Sequence, residues 1–179
     1  MSEFHNVDIC GYTAQLPIIK LPSGISIAFF NLHGNSTLTE HCGKELAKRV
    51  KDAEVLITAE SKGLQLTHVV ARELGMPYYA VARKSKKLYM QDGIHIAYGE
   101  SITTGKPQEF HLSAHDVSII KGKKVAIVDD VVSTGESLKG LTELVKKAGG
   151  TVVQNLFVLA EGSAKDRPDV TYLASIPIL

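Results

Sequence analysis

The chain has 179 residues, a length that fits one domain with a core large enough to fold without disulfides or structural metals. Its 44% hydrophobic and 22% charged residues are typical of globular proteins and exclude a disordered, collagen-like or coiled-coil chain. The net charge of +1 gives no basic surplus for binding nucleic acid, and no apolar run approaches the ~18 residues that span a membrane.

The N-terminal residues and the two cysteines indicate a compartment. The first ten residues include acids and lack the apolar segment of a signal peptide. Cys10 and Cys42 have neither CxxC spacing nor the number needed for a disulfide framework. We therefore expect reduced thiols and a cytoplasmic protein.

The first half of the chain alternates strand and helix patterns. Residues 24–30 form a β-rich apolar run, and residues 37–51 place apolar side chains every four positions, as a helix does. Residues 54–59 form a short buried-strand pattern. Residues 63–74 again show a helical apolar face, followed by the helix-ending residues glycine and proline.

The second half repeats this alternation after an interruption. Residues 78–82 have a strand pattern, whereas residues 84–123 are polar and include a short alternating stretch. We interpret this interruption as a hairpin-like excursion, because an insertion of that length is usually a functional lid or binding loop. The remaining predicted elements are strands at 124–128, 151–159 and 170–176 and a helix at 136–148.

The order of these elements predicts an α/β fold. Strands that alternate with helices of ten to fifteen residues are typical of βαβ units with a parallel sheet. The strands are nearly continuous apolar runs, as expected when helices cover both faces of the sheet.

The segment VAIVDDVVSTGES, residues 125–137, contains the strongest chemical motif. A buried strand ends in Asp129 and Asp130, and a Ser-Thr-Gly turn then opens a helix. A helix N-terminus offers free N–H groups to a phosphate, whereas adjacent carboxylates repel phosphate and suit sugar hydroxyls. The pattern therefore favours a 5-phosphoribosyl group over its plainer alternative, an N-capped turn without a ligand.

A second cluster places Arg83, Lys84, Lys86 and Lys87 after the strand predicted at 78–82. The resemblance given in the next paragraph implies a departing pyrophosphate, and cations in that place would stabilise the charge that grows on it. The alternative is a solvated basic turn.

The motif at 125–137 resembles the 5-phosphoribosyl diphosphate (PRPP) motif of the type I phosphoribosyltransferases, and the resemblance extends from about residue 24 to the C-terminus. LITAESKG at 56–63 and VARKSKKL at 81–88 make the chain most similar to the adenine and xanthine enzymes. The resemblance implies a single Rossmann-like domain over 1–179, with a central parallel sheet flanked by helices, a small N-terminal hood at about 1–36 and a flexible lid hairpin at about 88–112. It also implies transfer of phosphoribosyl to a purine in purine salvage, Mg²⁺ bound with PRPP, and a homodimer.

The resemblance also implies roles for individual residues. For catalysis they are Asp129, Asp130, Arg83 and Asp92, the last in place of a lid glutamate. For PRPP binding they are Glu60, Ser61, Lys62, Arg83, Lys84, Lys87, Asp129, Asp130, Val131, Val132, Ser133, Thr134, Gly135, Glu136 and Ser137. Mg²⁺ would be held mainly by PRPP and water, with Asp129 or Asp130 as candidate protein ligands.

The resemblance assigns the base to Phe29, Phe30, Asn31, Glu161 and Gly162. The FFN segment at 29–31 is similar to the xanthine enzyme, but Gly162 stands where that enzyme has a lysine suited to a 6-oxo group. We therefore expect adenine as the base and keep xanthine or another 6-oxopurine as the alternative.

Two further alternatives stay open. One is a regulatory protein that binds PRPP without catalysis, although the chain lacks room for a DNA-binding extension. The other is a pyrimidine or orotate enzyme, which VARKSKKL disfavours. For the catalytic form, we expect the lid to be mobile until PRPP, Mg²⁺ and base bind.

Overall fold

The N-terminal segment forms a small antiparallel sheet of three strands. In the computed structural model, which describes residues 3–22, 24–100 and 107–179, β1 (Phe4–Ile9) and β2 (Tyr12–Lys20) pair as a hairpin. Strand β3 (Ser26–Ala28) adds antiparallel to β2. This three-stranded sheet lies within the range 1–36 of the predicted hood, and we use the name hood for that range below.

The next four elements build half of the main domain. Helix α1 (Ser36–Ala47) begins where the Asn35 side chain accepts a hydrogen bond from the Leu38 amide at 3.1 Å. Strand β4 (Val55–Ala59), helix α2 (Leu64–Glu73) and strand β5 (Ala80–Ala82) follow. Each lies within or close to its predicted range.

The excursion after β5 is an antiparallel hairpin followed by a short helix. Strands β6 (Ile94–Glu100) and β7 (Pro107–Leu112) pair with each other, and residues 101–106 between them lie outside the described residues. Helix α3 (Ala114–Ile120) begins with a capping box formed by Ser113 and Asp116. The sequence patterns did not predict this helix.

The last elements complete the main domain. They are β8 (Lys124–Val132), α4 (Glu136–Lys147), β9 (Thr151–Glu161), a 3₁₀ turn (Gly162–Asp166) and β10 (Thr171–Ile176). Strand β8 runs four residues beyond its predicted end at 128, so Asp129 and Asp130 are part of the strand.

The five strands of the main sheet lie in the order β10-β9-β8-β4-β5, and every neighbouring pair is parallel. Alternate side chains of β8 enter different core clusters: Ala126 and Val128 pack with α1 and α2, whereas Val125 and Ile127 pack with α3 and α4. The fold is therefore an α/β domain with helices on both faces of a parallel sheet.

The strand order positions a crevice. From β4 the chain continues outward to β5, while β8 joins the other side of β4 and the chain continues to β9 and β10. The carboxyl ends of β4 and β8 thus flank the point where the strand order reverses, the usual ligand position in such sheets. None of the helices in the described part of the chain has the length and apolar character that a membrane crossing would require.

Candidate active site

A cleft of about 360 Å³ lies at the carboxyl ends of β4 and β8. It brings together the loop after β4, one lysine after β5, and the β8–α4 segment. The polar and loop residues that line it are Glu60, Ser61, Lys62, Lys84, Asp129, Asp130, Val131, Val132, Ser133, Thr134, Gly135, Glu136 and Ser137. Most of the residues predicted to bind PRPP therefore surround one cavity.

The start of α4 offers free backbone donors to this cleft. Gly135 is the residue before the helix, with a left-handed φ of 83°, and it has no side chain to cap the helix. The Thr134 hydroxyl accepts one long hydrogen bond, from the Glu136 amide at 3.5 Å. A residue with a β-carbon would be strained in that conformation. The first-turn amides and the helix dipole can therefore bind an anion such as phosphate.

Two adjacent carboxylates lie beside that helix start. Asp130 is 7% exposed, and its Oδ2 has no hydrogen-bond partner among the described residues. Its Oδ1 accepts the Val131 amide at 2.9 Å, and Asp129 Oδ1 accepts the Asp130 amide at 2.9 Å. Burial raises the pKa of both groups, and the Asp130 carboxylate raises that of Asp129 further. Such carboxylates are short of donors, which sugar hydroxyls can supply.

Glu60 contacts the basic segment that follows β5, at Arg83 and Lys84. Its carboxylate pairs with Nε of Arg83 at 2.6 Å and accepts the backbone N–H of Lys84 at 2.6 Å. The Arg83 guanidinium also donates to the Tyr89 hydroxyl at 3.2 Å. These contacts fix the chain at the end of β5 and leave the exposed Lys84 side chain at the cleft wall.

Lys62 connects the cleft with the hood. Its ammonium nitrogen lies 3.8 Å from Asp130 Oδ2 and 5.0 Å from the centre of the Phe29 ring. Both distances fit favourable electrostatic contacts, one with an anion and one with an aromatic face. Lys62 therefore neutralises part of the Asp130 charge while it covers one face of Phe29.

A second cavity of about 660 Å³ lies between β2 and the segment 29–31 of the hood. Phe29, Phe30 and Asn31 line it, together with Gln15 and other residues of β2. Phe30 is only 3% exposed and belongs to the main core, whereas Phe29 is partly exposed. Of the two predicted aromatic residues, Phe29 is therefore the one whose ring is available for stacking.

Five predicted site residues lie outside both cavities: Arg83, Lys87, Asp92, Glu161 and Gly162. Lys87 donates to the Ser85 hydroxyl at 2.8 Å, and Asp92 is exposed in a turn. Ile178 covers Gly162, since a Cβ there would lie 2.8 Å from Ile178 Cδ1. In this conformation the lid carboxylate and the end of β9 do not meet the cleft.

Sequence patterns missed an apolar wall and one cation near the cleft. Phe110 of the hairpin and Phe157 of β9 line the cavity, and their sequence contexts are ordinary strand patterns. Arg167, beyond the 3₁₀ turn, lies against Gly135. No local sequence pattern joins positions 135 and 167.

The carboxylate pair also fits a Mg²⁺ ion shared with a substrate. Mg²⁺ prefers oxygen ligands and usually takes only one or two of them from protein. Asp130 Oδ2, which has no hydrogen-bond partner among the described residues, is one such oxygen. Among the described residues, no group of three or more His, Cys, Asp or Glu side chains could hold a metal by itself. Most ligands would therefore come from substrate oxygens and water.

Comparison with known proteins agrees with this geometry. The family model described as "Phosphoribosyl transferase domain" matches residues 31–176. The xanthine phosphoribosyltransferase of Exiguobacterium sp. (strain ATCC BAA-1283 / AT1b) is 34% identical over 148 residues, 78% of this chain and 75% of that enzyme. The enzyme of the same name from Bacillus cereus (strain B4264) is 34% identical over 127 residues, 70% of this chain and 63% of that enzyme.

A solved structure shares the fold. Adenine phosphoribosyltransferase from Thermoanaerobacter pseudethanolicus superposes with a TM-score of 0.72 at 22% identity, covering 90% of this chain and 95% of that one. At that identity the likeness concerns the fold alone.

Proposed function

The chain belongs to the phosphoribosyl transferase domain family, and from this premise we propose that it transfers the 5-phosphoribosyl group of PRPP to a purine base and releases pyrophosphate. One observation supports this most. The carboxylates of Asp129 and Asp130 lie next to the N-terminus of α4, where Gly135 provides no side-chain cap, and both are at the point where the strand order reverses. One end of that site suits a phosphate and the other a diol, as in a ribose 5-phosphate.

Binding of PRPP follows from the charges around the cleft. The 5-phosphate takes the first-turn amides of α4 and the hydroxyls of Ser133, Thr134 and Ser137. The ribose hydroxyls donate to Asp129 and Asp130, which relieves their buried charge. The pyrophosphate lies towards Lys84 and the loop at 60–62.

Catalysis then depends on charge at the departing group. The bond between C1 of the ribose and the pyrophosphate oxygen breaks, the bond from C1 to a purine nitrogen forms, and the ribose passes through a state with oxocarbenium character. The departing pyrophosphate or water takes the proton that the purine loses. Lys84 and Lys62 stabilise the negative charge that grows on pyrophosphate. Mg²⁺, held mainly by PRPP and water with Asp129 or Asp130 as candidate ligands, would neutralise negative charge on pyrophosphate. We expect the lid predicted at about 88–112 to exclude water from the reacting carbon.

For the base we propose adenine. Gly162 supplies no charged donor at the end of β9, and Ile178 packs against it. Gly162 lies outside both cavities in this conformation, so contact with the base requires that Ile178 move away. A 6-amino group can then donate to the backbone carbonyls at this end of β9, whereas a 6-oxo group would need a donor. Phe29 offers its ring for stacking once Lys62 moves to the pyrophosphate.

Xanthine is the second candidate. The two sequence relatives at 34% identity are both named xanthine phosphoribosyltransferase. The side-chain amides of Gln15 and Asn31 in the hood cavity can each donate to an oxo group as well as accept from an amino group.

A base panel tests these proposals. Purified protein is incubated with PRPP, Mg²⁺ and adenine, xanthine, hypoxanthine, guanine or orotate, and pyrophosphate release is measured, with Asp130→Asn as the control. We expect the wild type to release pyrophosphate with adenine. In Asp130→Asn this rate should be lower by about tenfold or more, because a carboxylate binds hydroxyls more strongly than an amide does.

Each outcome of the panel has a definite meaning. A preference for xanthine replaces the adenine assignment and keeps the enzyme. PRPP binding without turnover on any base indicates the regulatory alternative. A homodimer and a cytoplasmic location remain predictions, the first of which sedimentation of the purified protein can check.

A further inference from the structure

The phosphate loop is poor in positive charge. Residues 131–137 contain no lysine or arginine, and Glu136 begins the helix. Asp129 and Asp130 add two carboxyl groups next to it. A helix N-terminus supplies only about half an elementary charge, whereas a phosphate monoester carries about −1.5 to −2 at neutral pH. A cation from elsewhere in the fold would therefore strengthen the binding of a dianion at this loop.

Arg167 places a guanidinium at that loop. A Cβ atom at Gly135 would lie only 2.7 Å from Nη1 of Arg167 and 3.3 Å from its Cζ. The guanidinium thus packs over the residue that precedes α4, although 32 positions separate the two residues in the sequence. The turn at 162–166 and the start of β10 bring them together.

Asp169 fixes the orientation of this guanidinium. Nε of Arg167 donates to Asp169 Oδ1 at 3.0 Å, and Nη2 donates to Oδ2 at 2.8 Å. This two-point contact holds one edge of the planar group. Nη1, the nitrogen nearest Gly135, has no hydrogen-bond acceptor among the described residues.

We propose that Arg167 is a binding residue for the 5-phosphate of the sugar, and that Asp169 is a positioning residue that aims Nη1 at the helix N-terminus. The proposal rests on the proposed function, because that function supplies the phosphate. It assigns Arg167 to the phosphate end of the cleft and not to the pyrophosphate end, where Lys84 and Lys62 lie.

The test compares Arg167→Met with Lys165→Met, which removes a neighbouring exposed cation of the same turn. Calorimetry measures binding of ribose 5-phosphate, of ribose and of inorganic pyrophosphate to each purified protein. We expect Arg167→Met to weaken ribose 5-phosphate binding about tenfold or more, the effect of one lost charge-assisted hydrogen bond. Pyrophosphate binding should change less than twofold, and Lys165→Met should resemble the wild type.

Kinetics give a second readout. The 5-phosphate does not change its charge during the reaction. Removing a contact to it therefore destabilises the bound substrate and the transition state by the same amount. Arg167→Met should therefore raise KM for PRPP with little change in kcat. Asp169→Asn should raise KM less, and its effect should disappear in the Arg167→Met background, because Asp169 acts through Arg167.

Several outcomes would overturn the proposal. They are wild-type binding of ribose 5-phosphate by Arg167→Met, an equal loss in Lys165→Met, or a loss confined to pyrophosphate. Should Arg167→Met not fold, Arg167→Gln serves in the same comparison. If the wild type itself neither binds ribose 5-phosphate nor turns over PRPP, the proposed function fails and the role of Arg167 fails with it. A functional wild type with an unaffected Arg167→Met refutes the role of Arg167 alone.

Discussion

At the scale of single residues, Asp129 and Asp130 lie in a buried strand with few groups to compensate their charge. Lys62 is the one cation within 4 Å of either carboxylate among the described residues. Burial raises both pKa values, so the free protein holds these carboxylates at a cost. Such a cost is common where a ligand later supplies the missing contacts.

This cost predicts a pH dependence of stability. A carboxyl with a raised pKa holds its proton to higher pH in the folded chain than in the unfolded chain. Above the ordinary carboxyl range of about pH 4, the folded chain therefore binds more protons, and the free energy of unfolding decreases as pH rises. Asp129→Asn should remove part of this decrease, on the order of 1 kcal/mol between pH 5 and pH 8.

Urea unfolding without ligand at both pH values measures the effect. The comparison is the difference between variant and wild type, because the carboxylates with lowered pKa values, such as Glu40, are common to both proteins. A constant difference across the pH range would show that Asp129 is ionised without penalty.

Glu60 allows a matched comparison at the two ends of one strand. Glu60, after β4, binds Arg83 and the Lys84 amide. Glu54, before β4, binds Lys123 and the Lys124 amide in the same manner. Glu60→Gln should raise KM for PRPP several-fold because the segment at 83–84 loses its charged anchor, whereas Glu54→Gln should have no effect on kinetics. Steady-state rates at varied PRPP concentrations measure KM for both variants. Equal effects of the two variants would contradict the prediction that Glu60 holds the segment at 83–84 in place.

At the scale of elements, the hairpin β6–β7 is attached to the main domain more firmly than its sequence indicates. Tyr98 is 8% exposed and stacks on the fully buried Phe110 with ring centres 4.2 Å apart. Leu112 is also fully buried. The apolar anchor that the sequence did not reveal therefore fixes the described base of the hairpin.

A single methyl group should test this attachment. A Cβ at Gly140 of α4 would lie 2.6 Å from Cγ of the Tyr98 ring, so Gly140→Ala should push the hairpin away from the helix. Hydrogen exchange should show faster exchange in residues 94–98 and 108–112 of this variant, while β4 and β8 stay protected. Lys139→Ala, on the exposed side of the same helix, is the control. Unchanged protection in Gly140→Ala would mean that the contact does not hold the hairpin.

At the scale of the whole molecule, a ligand that joins the loops after β4 and β8 should stabilise the entire domain. Saturation at 100 times Kd adds about 2.7 kcal/mol. For a domain of this size that corresponds to a rise in Tm of roughly 5–10 °C. Thermal unfolding with PRPP and Mg²⁺ should show this rise in the wild type. Asp130→Asn, with binding weakened about tenfold, should show roughly half of this rise at the same concentration, and an equal rise would exclude Asp130 from the binding site.

The sequence alone determined the order and type of most main-domain elements and the position of the cleft. The buried strands of the main sheet are continuous apolar runs in the sequence, and such runs can be recognised from neighbouring residues alone, as in β4 and β8. The motif at 125–137 combines a strand, two acids and a helix start within thirteen residues, so its chemistry is visible locally. Strands β1 and β2 and helix α3 were not predicted. β1 and α3 are short and β2 contains Pro17, so their local patterns are weak and tertiary packing stabilises them.

Only the tertiary structure decided which of the predicted residues meet. It places Phe30 in the core and leaves Phe29 under Lys62, a difference that two adjacent identical residues cannot show in sequence. It directs Glu60 to Arg83 and brings Arg167 to Gly135 from 32 positions away. The physical reason is that local propensities fix helices and strands, whereas contacts between distant charges depend on sheet order and on how the connections pack.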